Sequence, residues 1–194
     1  MVQKLLFIAI LFGAAQVFAQ APIVIIDATT DTDVTNTQID VVGSPTDNDR
    51  YRYFHVHYDG IGSYDINLKR IELDVTSGTL NSACWGICPA DVTEGTYPVW
   101  DYGNPPQGVP TIPPLTITSQ DTLYDELQCH HKPNNLEGCS LYRYVLYNAN
   151  STTDSVYVDV RYIHTNSGVC DLSIEEVNQN NNVQMYPNPT SSNL

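Results

Sequence analysis

Positive charge is scarce in this 194-residue chain: eight Lys and Arg stand against 22 Asp and Glu, a formal balance of −14. Such a surface repels nucleic acid and acidic lipid head groups, which excludes both as partners. Beyond the first residues no apolar run is long enough to cross a bilayer as a helix. The 3.6-residue period is missing too, so no helix of useful length is expected after the amino-terminal segment. Hydrolytic and nucleotide-binding signatures are absent: there is no Gly-x-Ser-x-Gly, no His-Glu-x-x-His and no phosphate-cradling glycine loop. The acidic turns DATTDTD (27–33) and TDND (46–49) lack the alternating acids around a central glycine that a calcium loop needs, and read as turn chemistry. Nothing in the sequence calls for a cofactor, and no catalytic residues are assigned.

What is present begins with the first twenty residues. MVQKLLFIAILFGAAQVFAQ carries one lysine, Lys4, an apolar run from Leu5 to Ala15, and small residues before Gln20. That is the layout of a secretory signal peptide over 1–19, and it implies export. The rest divides into a folded region over 20–172, an asparagine-rich linker over 173–182 and a short ending over 183–194.

Within 20–172 the apolar residues recur with period two. In RYRYFHVHY (50–58), Phe54, Val56 and Tyr58 alternate with His55 and His57. In DSVYVDVRYIH (154–164), Val156, Val158, Val160 and Tyr162 share a face opposite Tyr157, Asp159 and Arg161. Both patterns describe half-buried strands. YDINLKRIELDV (64–75) starts with Ile66 and Leu68 in phase and then moves to Ile71, Leu73 and Val75. A bulge near Lys69-Arg70, or a strand crossing between sheets, is expected there. Further strands are expected at 22–27, 37–42, 97–101, 115–118, 123–130 and 141–148, separated by Gly/Pro/Asn turns. Short strands at this spacing predict an all-β fold, an antiparallel immunoglobulin-like β-sandwich of about seven to nine strands. NPPQGVPTIPP (104–114) is too rich in proline for a central strand and reads as a crossover between sheets.

Five cysteines in an exported chain point to disulfides. Cys84 and Cys88 flank Trp-Gly-Ile and are expected to close a tight local loop. A redox-active pair would call for a two-residue spacing and a helix start, which this segment lacks. Cys129 and Cys139 flank HHKPNNLEG, which reads as a hairpin loop with a bridge at its neck. Cys170 is then left over, as a free thiol, in a different internal pairing, or as a link between chains. His55 and His57, with Cys129, His130 and His131, form the one metal-like grouping, but the spacing fits no common zinc framework, and no metal site is assigned. Tyr51, Tyr53, Tyr142, Tyr144 and Tyr157 offer either an aromatic binding face or cross-strand packing.

The ending LSIEEVNQNNNVQMYPNPTSSNL resembles the start of the C-terminal sorting domain of Bacteroidota type IX secretion substrates. Val183, Met185, Tyr186, Pro187, Asn188, Pro189, Thr190 and Ser191 carry the likeness, with Tyr186 to Pro189 as the sorting signal. The family's sorting domain runs on for several further strands, so the resemblance implies a truncated form here. The middle resembles an uncharacterised Ig-like module found before such sorting domains. There the carriers are the Cys-Trp-Gly segment, then Gly138, Ser140, Tyr142, Arg143 and Tyr144, and then Asp154, Ser155 and Val158. Together these imply a secreted or cell-surface, non-catalytic sandwich whose partner is the type IX machinery. A structural or adhesive role follows, with self-assembly into fibres or a surface layer. The alternative is an accessory module that binds surface glycans or a metal.

Overall fold

The computed structural model describes residues 21–170, which lie inside the folded region expected over 20–172. The expected signal peptide, linker and sorting signal lie outside the described residues. Twelve strands form two six-stranded sheets: β1 (Ile23–Asp27), β2 (Thr32–Asp33), β3 (Thr37–Val42), β4 (Arg50–Tyr58), β5 (Ser63–Asp74), β6 (Leu80–Trp85), β7 (Val92–Thr93), β8 (Val99–Asp101), β9 (Leu115–Thr118), β10 (Thr122–Lys132), β11 (Gly138–Asn148) and β12 (Ser151–His164). The first sheet has the order β2-β1-β4-β10-β6-β7; the second runs β3-β12-β11-β5-β8, with β9 also pairing β5. The fold is all-β and immunoglobulin-like. Its twelve strands exceed the seven to nine expected because β2, β6 and β7 carry no alternation to read. β2 and β7 are two residues long, and β6 is buried from Asn81 to Trp85 without a break.

Alternation builds the core. Ile23 and Ile25 of β1, Phe54, Val56 and Tyr58 of β4, and Leu127 and Cys129 of β10 point inward from the first sheet. Tyr64, Ile66 and Leu68 of β5, Tyr142, Tyr144 and Leu146 of β11, and Val156, Val158, Val160 and Tyr162 of β12 meet them from the second. Pairing is antiparallel with one exception: β3 lies parallel to β12, Val160 opposite Ile39.

The phase slip expected at Lys69-Arg70 does not occur there. Arg70 occupies the next inward position after Leu68 and is fully buried. The register shift lies further on, where Leu141 and Tyr142 face Asp74 and Glu72 and leave Leu73 as the extra residue. A second shift separates Leu123 from Leu127 in β10, with Asp125 at φ 57°.

The sheet crossing is also displaced from its expected place. β8 and β9 pair with successive parts of β5, at 69–71 and 63–66, so the proline-rich loop joins two strands along one edge of the same sheet. Of the several crossings between the sheets, the one nearest the proline-rich loop runs over 94–98, between β7 and β8. Arg70 and Glu72 hold that passage. Their side chains pair at 3.1 Å, and both are nearly inaccessible to solvent. Arg70 donates to the Tyr97 carbonyl at 2.5 Å and lies over the Trp100 ring at 5.6 Å. Glu72 accepts from the Gly95 amide at 2.8 Å.

Arg70 Nε and Nη1 find no partner, so the pair does not recover its whole desolvation penalty. Removing one partner alone is the expensive change. We expect R70M to destabilise the fold by about 3–5 kcal/mol. The double variant R70M/E72Q should lose clearly less than the two single losses combined, as read from urea midpoints in a double-mutant cycle.

Candidate functional site

Three groupings of polar side chains stand out, one inside the sandwich and two on the outer face of the first sheet. The internal group gathers where β10 faces β11 and β12. His131 is fully buried, stacked on Tyr162 at 4.8 Å, with the Tyr142 hydroxyl 3.3 Å from its Nδ1 and the His164 ring at 4.9 Å. Burial, with the neighbouring His164, pushes the His131 pKa down to about 3. Burial likewise pushes up the hydroxyls of Tyr142, Tyr144 and Tyr162 and the thiol of Cys129. The Tyr162 hydroxyl donates to the Cys129 carbonyl at 2.8 Å. This cluster is neutral, packed and closed to solvent. It holds the sheets in register and offers no room for a substrate.

On the outer face, consecutive residues of β4 and β10 alternate away from the core. Cys129 and His131 therefore point inward while His130 points outward, and the run Cys129-His130-His131 does not converge. His55 and His57 share the outer face, but each faces its own acid: His55 Nδ1 lies 3.5 Å from Asp125, and His57 Nε2 lies 3.1 Å from Asp59. Among the described residues no three His, Cys, Asp or Glu side chains are grouped to hold a metal. The acidic turns are similarly committed. Asp27 pairs with Arg52, Asp33 accepts from the Thr35 amide, and Asp47 pairs with Arg50 at 2.6 Å.

The tyrosines divide between the two readings left open. Tyr142 and Tyr144 are core residues, and Tyr157 lies under Arg143, whose guanidinium sits 4.0 Å from the ring centre. Tyr51 and Tyr53 do lie together on the outer face at 5.0 Å. Tyr124, which sequence reasoning passed over, sits against His55 at 4.9 Å and is 68% exposed.

The third grouping surrounds the first disulfide, at the end of β6. Cys84 and Cys88 are bonded across Trp85-Gly86-Ile87. The turn is possible because Gly86 adopts φ +66°, and the Trp85 amide donates to the Ile87 carbonyl at 3.1 Å. Trp85 anchors it from within, its indole donating to the Ile66 carbonyl at 3.2 Å. Cys84 is 3% exposed, whereas Cys88 faces solvent. His130 Nε2 lies 3.9 Å from Cys84 Sγ, and His130 Nδ1 lies 3.0 Å from Asp49 Oδ2. Ile87 and Pro89, on either side of Cys88, help to wall an apolar cleft of about 360 Å³ with Val92, Tyr97, Trp100 and Val109. Neither Asp49 nor this use of His130 was legible beforehand. Asp49 is 81 residues away in the chain, and only the β4–β10 pairing brings it near.

The second disulfide corrects the expected pairing. Cys139 is bonded to Cys170, and Cys129 is a buried free thiol. The segment between Cys129 and Cys139 is not a hairpin loop: β10 belongs to the first sheet and β11 to the second, so the loop crosses the sandwich. Cys139 instead begins β11 opposite Ile163 of β12, and a turn at 165–168 brings the chain back beside it. Cys170 is therefore spent inside the chain rather than available to link chains.

No protein-family model matches the chain, and no curated protein matches it. Among solved structures it is similar to the N-terminal domain of PorA, at 12% identity over 73% of this chain and 96% of that one, with a TM-score of 0.45. It is also similar to the ASH/PapD-like domain 7 of human CEP192, at 6% identity over 75% and 86% of the two chains, with a TM-score of 0.37. Likenesses this distant leave function to the chemistry of the residues.

Two measurements check this description. The native protein should show no thiol that reacts quickly with a bulky aromatic disulfide reagent, and one thiol once it is denatured without reductant. A thiol reactive in the native state at Cys170 would contradict the Cys139–Cys170 bond. The second concerns pH. His131 takes up its proton near 6.5 when unfolded but only near 3 when folded, so it removes stability as pH falls through that window. Glu94, whose carboxyl bonds to the Thr79 hydroxyl, is pushed by burial up to about 7 from an ordinary 4.5. The folded state therefore holds the Glu94 proton longer than the unfolded chain does, and stability falls as pH rises from 4.5 to 7. We expect E94Q to compare more favourably with the parent at about pH 8 than at about pH 5 in urea titrations.

Proposed function

We propose that the chain is an exported, non-catalytic sandwich with a structural or adhesive role at the cell surface, delivered by the type IX machinery through Tyr186 to Pro189. Export is supported by the leader and by two disulfides, which suit an oxidising compartment. A non-catalytic role is supported by where the ionisable groups go. Arg70, His131 and Tyr142 are consumed in the core, and the outer histidines are each matched to a carboxylate.

The observation that carries assembly is the edge of the second sheet. The first sheet ends in the two-residue strands β2 and β7, which blunt its edges, whereas the second ends in the six-residue β3. A long strand at an edge is a template for pairing with another chain. Because Cys129 is buried and Cys170 is bonded, this assembly is non-covalent, by strand addition, and gives fibres or a surface layer.

A second reading, an accessory module for surface glycans, has one observation in its favour: the outer-face strip of Tyr51, Tyr53 and Tyr124, of which Tyr51 is 53% and Tyr124 68% exposed. Aromatic rings displayed on a sheet suit sugar stacking.

Light scattering coupled to gel filtration separates the readings. Assembly predicts a mass that grows with concentration and does not change with reductant. A monomer throughout, with glycan-array binding abolished by Y51A/Y124A, would replace the first reading with the second.

A further inference from the structure

The Cys84–Cys88 bridge is built asymmetrically. Its Cys88 sulfur belongs to a solvent-facing residue, while Cys84 is buried against an imidazole that is itself held by a carboxylate. Asymmetry of this kind directs thiol–disulfide exchange to one sulfur. The incoming thiolate must reach one sulfur, and the other must leave as a stabilised thiolate. His130 donates Nδ1–H to Asp49, so in the neutral ring Nε2 is a bare acceptor facing Cys84. Only the imidazolium presents a proton to the sulfur, and the Asp49 carboxylate holds the ring in the orientation that aims Nε2 at Cys84.

We propose that Cys84–Cys88 is a reactive disulfide that captures a thiol-bearing partner segment at Cys88, with His130 and Asp49 assisting departure of Cys84. The partner's thiolate attacks Cys88 Sγ; the S–S bond to Cys84 breaks, and its electron pair leaves on Cys84 Sγ. His130 Nε2 delivers its proton there and regains one from water. The products are a partner–Cys88 mixed disulfide and a Cys84 thiol. Electrons balance without an added oxidant, because the original disulfide is the oxidant. Return attack by Cys84 releases the partner, so capture is reversible.

The surroundings define the partner. Ile87 and Pro89 place the apolar cleft beside Cys88, and its walls of Val92, Tyr97, Trp100 and Val109 suit a large aliphatic or aromatic side chain next to the partner's cysteine. A formal charge of −14 disfavours small anionic thiols. Opening the bridge leaves the fold in place, because Trp85 is held by its own indole hydrogen bond and the Cys139–Cys170 bond is elsewhere. The groups around His130 are Asp49 from the loop before β4, Tyr51 across β4 at 6.1 Å, Cys84 and Ser82 of β6, and Asp91, which is engaged by Lys132 at 2.5 Å. The capture chemistry goes beyond the proposed surface role and does not depend on it, so failure of the assembly experiment leaves it standing.

The test mixes full-length protein with a blocked synthetic peptide bearing one cysteine between two leucines, and in parallel with glutathione. Mass spectrometry follows adduct formation and locates it. The adduct is expected on Cys88, faster for the peptide than for glutathione. H130Q should slow it roughly tenfold, less than general-acid assistance usually contributes, because a thiolate is already a fair leaving group. D49N should fall between H130Q and the parent. Urea midpoints of the variants establish that they are folded. An H130Q rate equal to the parent's, or an adduct on Cys139 or Cys170, would each overturn the proposal.

Discussion

A buried arginine sets the architecture of this sandwich. β5 presents Tyr64, Ile66, Leu68 and then Arg70 to the interior, and the last of these cannot be left alone in an apolar layer. It recruits Glu72 two residues on, the Tyr97 carbonyl and the Trp100 ring. Because Tyr97 lies in the β7–β8 passage and Trp100 just beyond it, satisfying the guanidinium also anchors that crossing between the sheets. Glu72 holds the Gly95 amide in the same passage. Trp100 in turn places Tyr102, whose hydroxyl reaches the Ala83 carbonyl of β6 at 2.5 Å and ties the two sheets together.

The same economy runs through the rest of the interior. A neutral histidine, three tyrosines and one thiol occupy positions that aliphatic residues would fill in a simpler sandwich. Rings that stack, the Tyr162 hydroxyl on the Cys129 carbonyl and the Tyr142 hydroxyl beside His131 let these residues pack without charge, while the Tyr144 hydroxyl is left without a partner. The fold is sensitive to pH from both directions: the buried His131 resists protonation on the acid side, and Glu94, half-buried in the loop after β7, resists ionisation near neutrality.

Much of the fold was legible because alternation survives wherever a strand has one wet face. β4 and β12 could be read from their apolar residues, and β3 and β9 were placed at their observed bounds. β6 escaped because both of its faces are covered, so LNSACW carries no period. Arg70 escaped because a charged residue at an inward position looks like a phase slip until its buried partner is known. The Cys129–Cys139 expectation treated neighbours in sequence as neighbours in a sheet. β10 and β11 face each other across the core, so one cysteine points into the interior and the other joins the margin of β11 and β12.

The sequence alone determined an acidic, all-β, disulfide-bearing domain, its main strands and its turns. These follow from local rules: period-two patterning, turn residues and charge act within a few positions of themselves. Tertiary structure alone decided that Cys139 pairs with Cys170, which tyrosines are buried, and that Asp49 meets His130 and His130 meets Cys84. β10 carries His130, β6 carries Cys84 and the loop leading into β4 carries Asp49, and these are neighbours only because the sheet order makes them so. Sheet order is a global property, set by how two faces of side chains fill one interior.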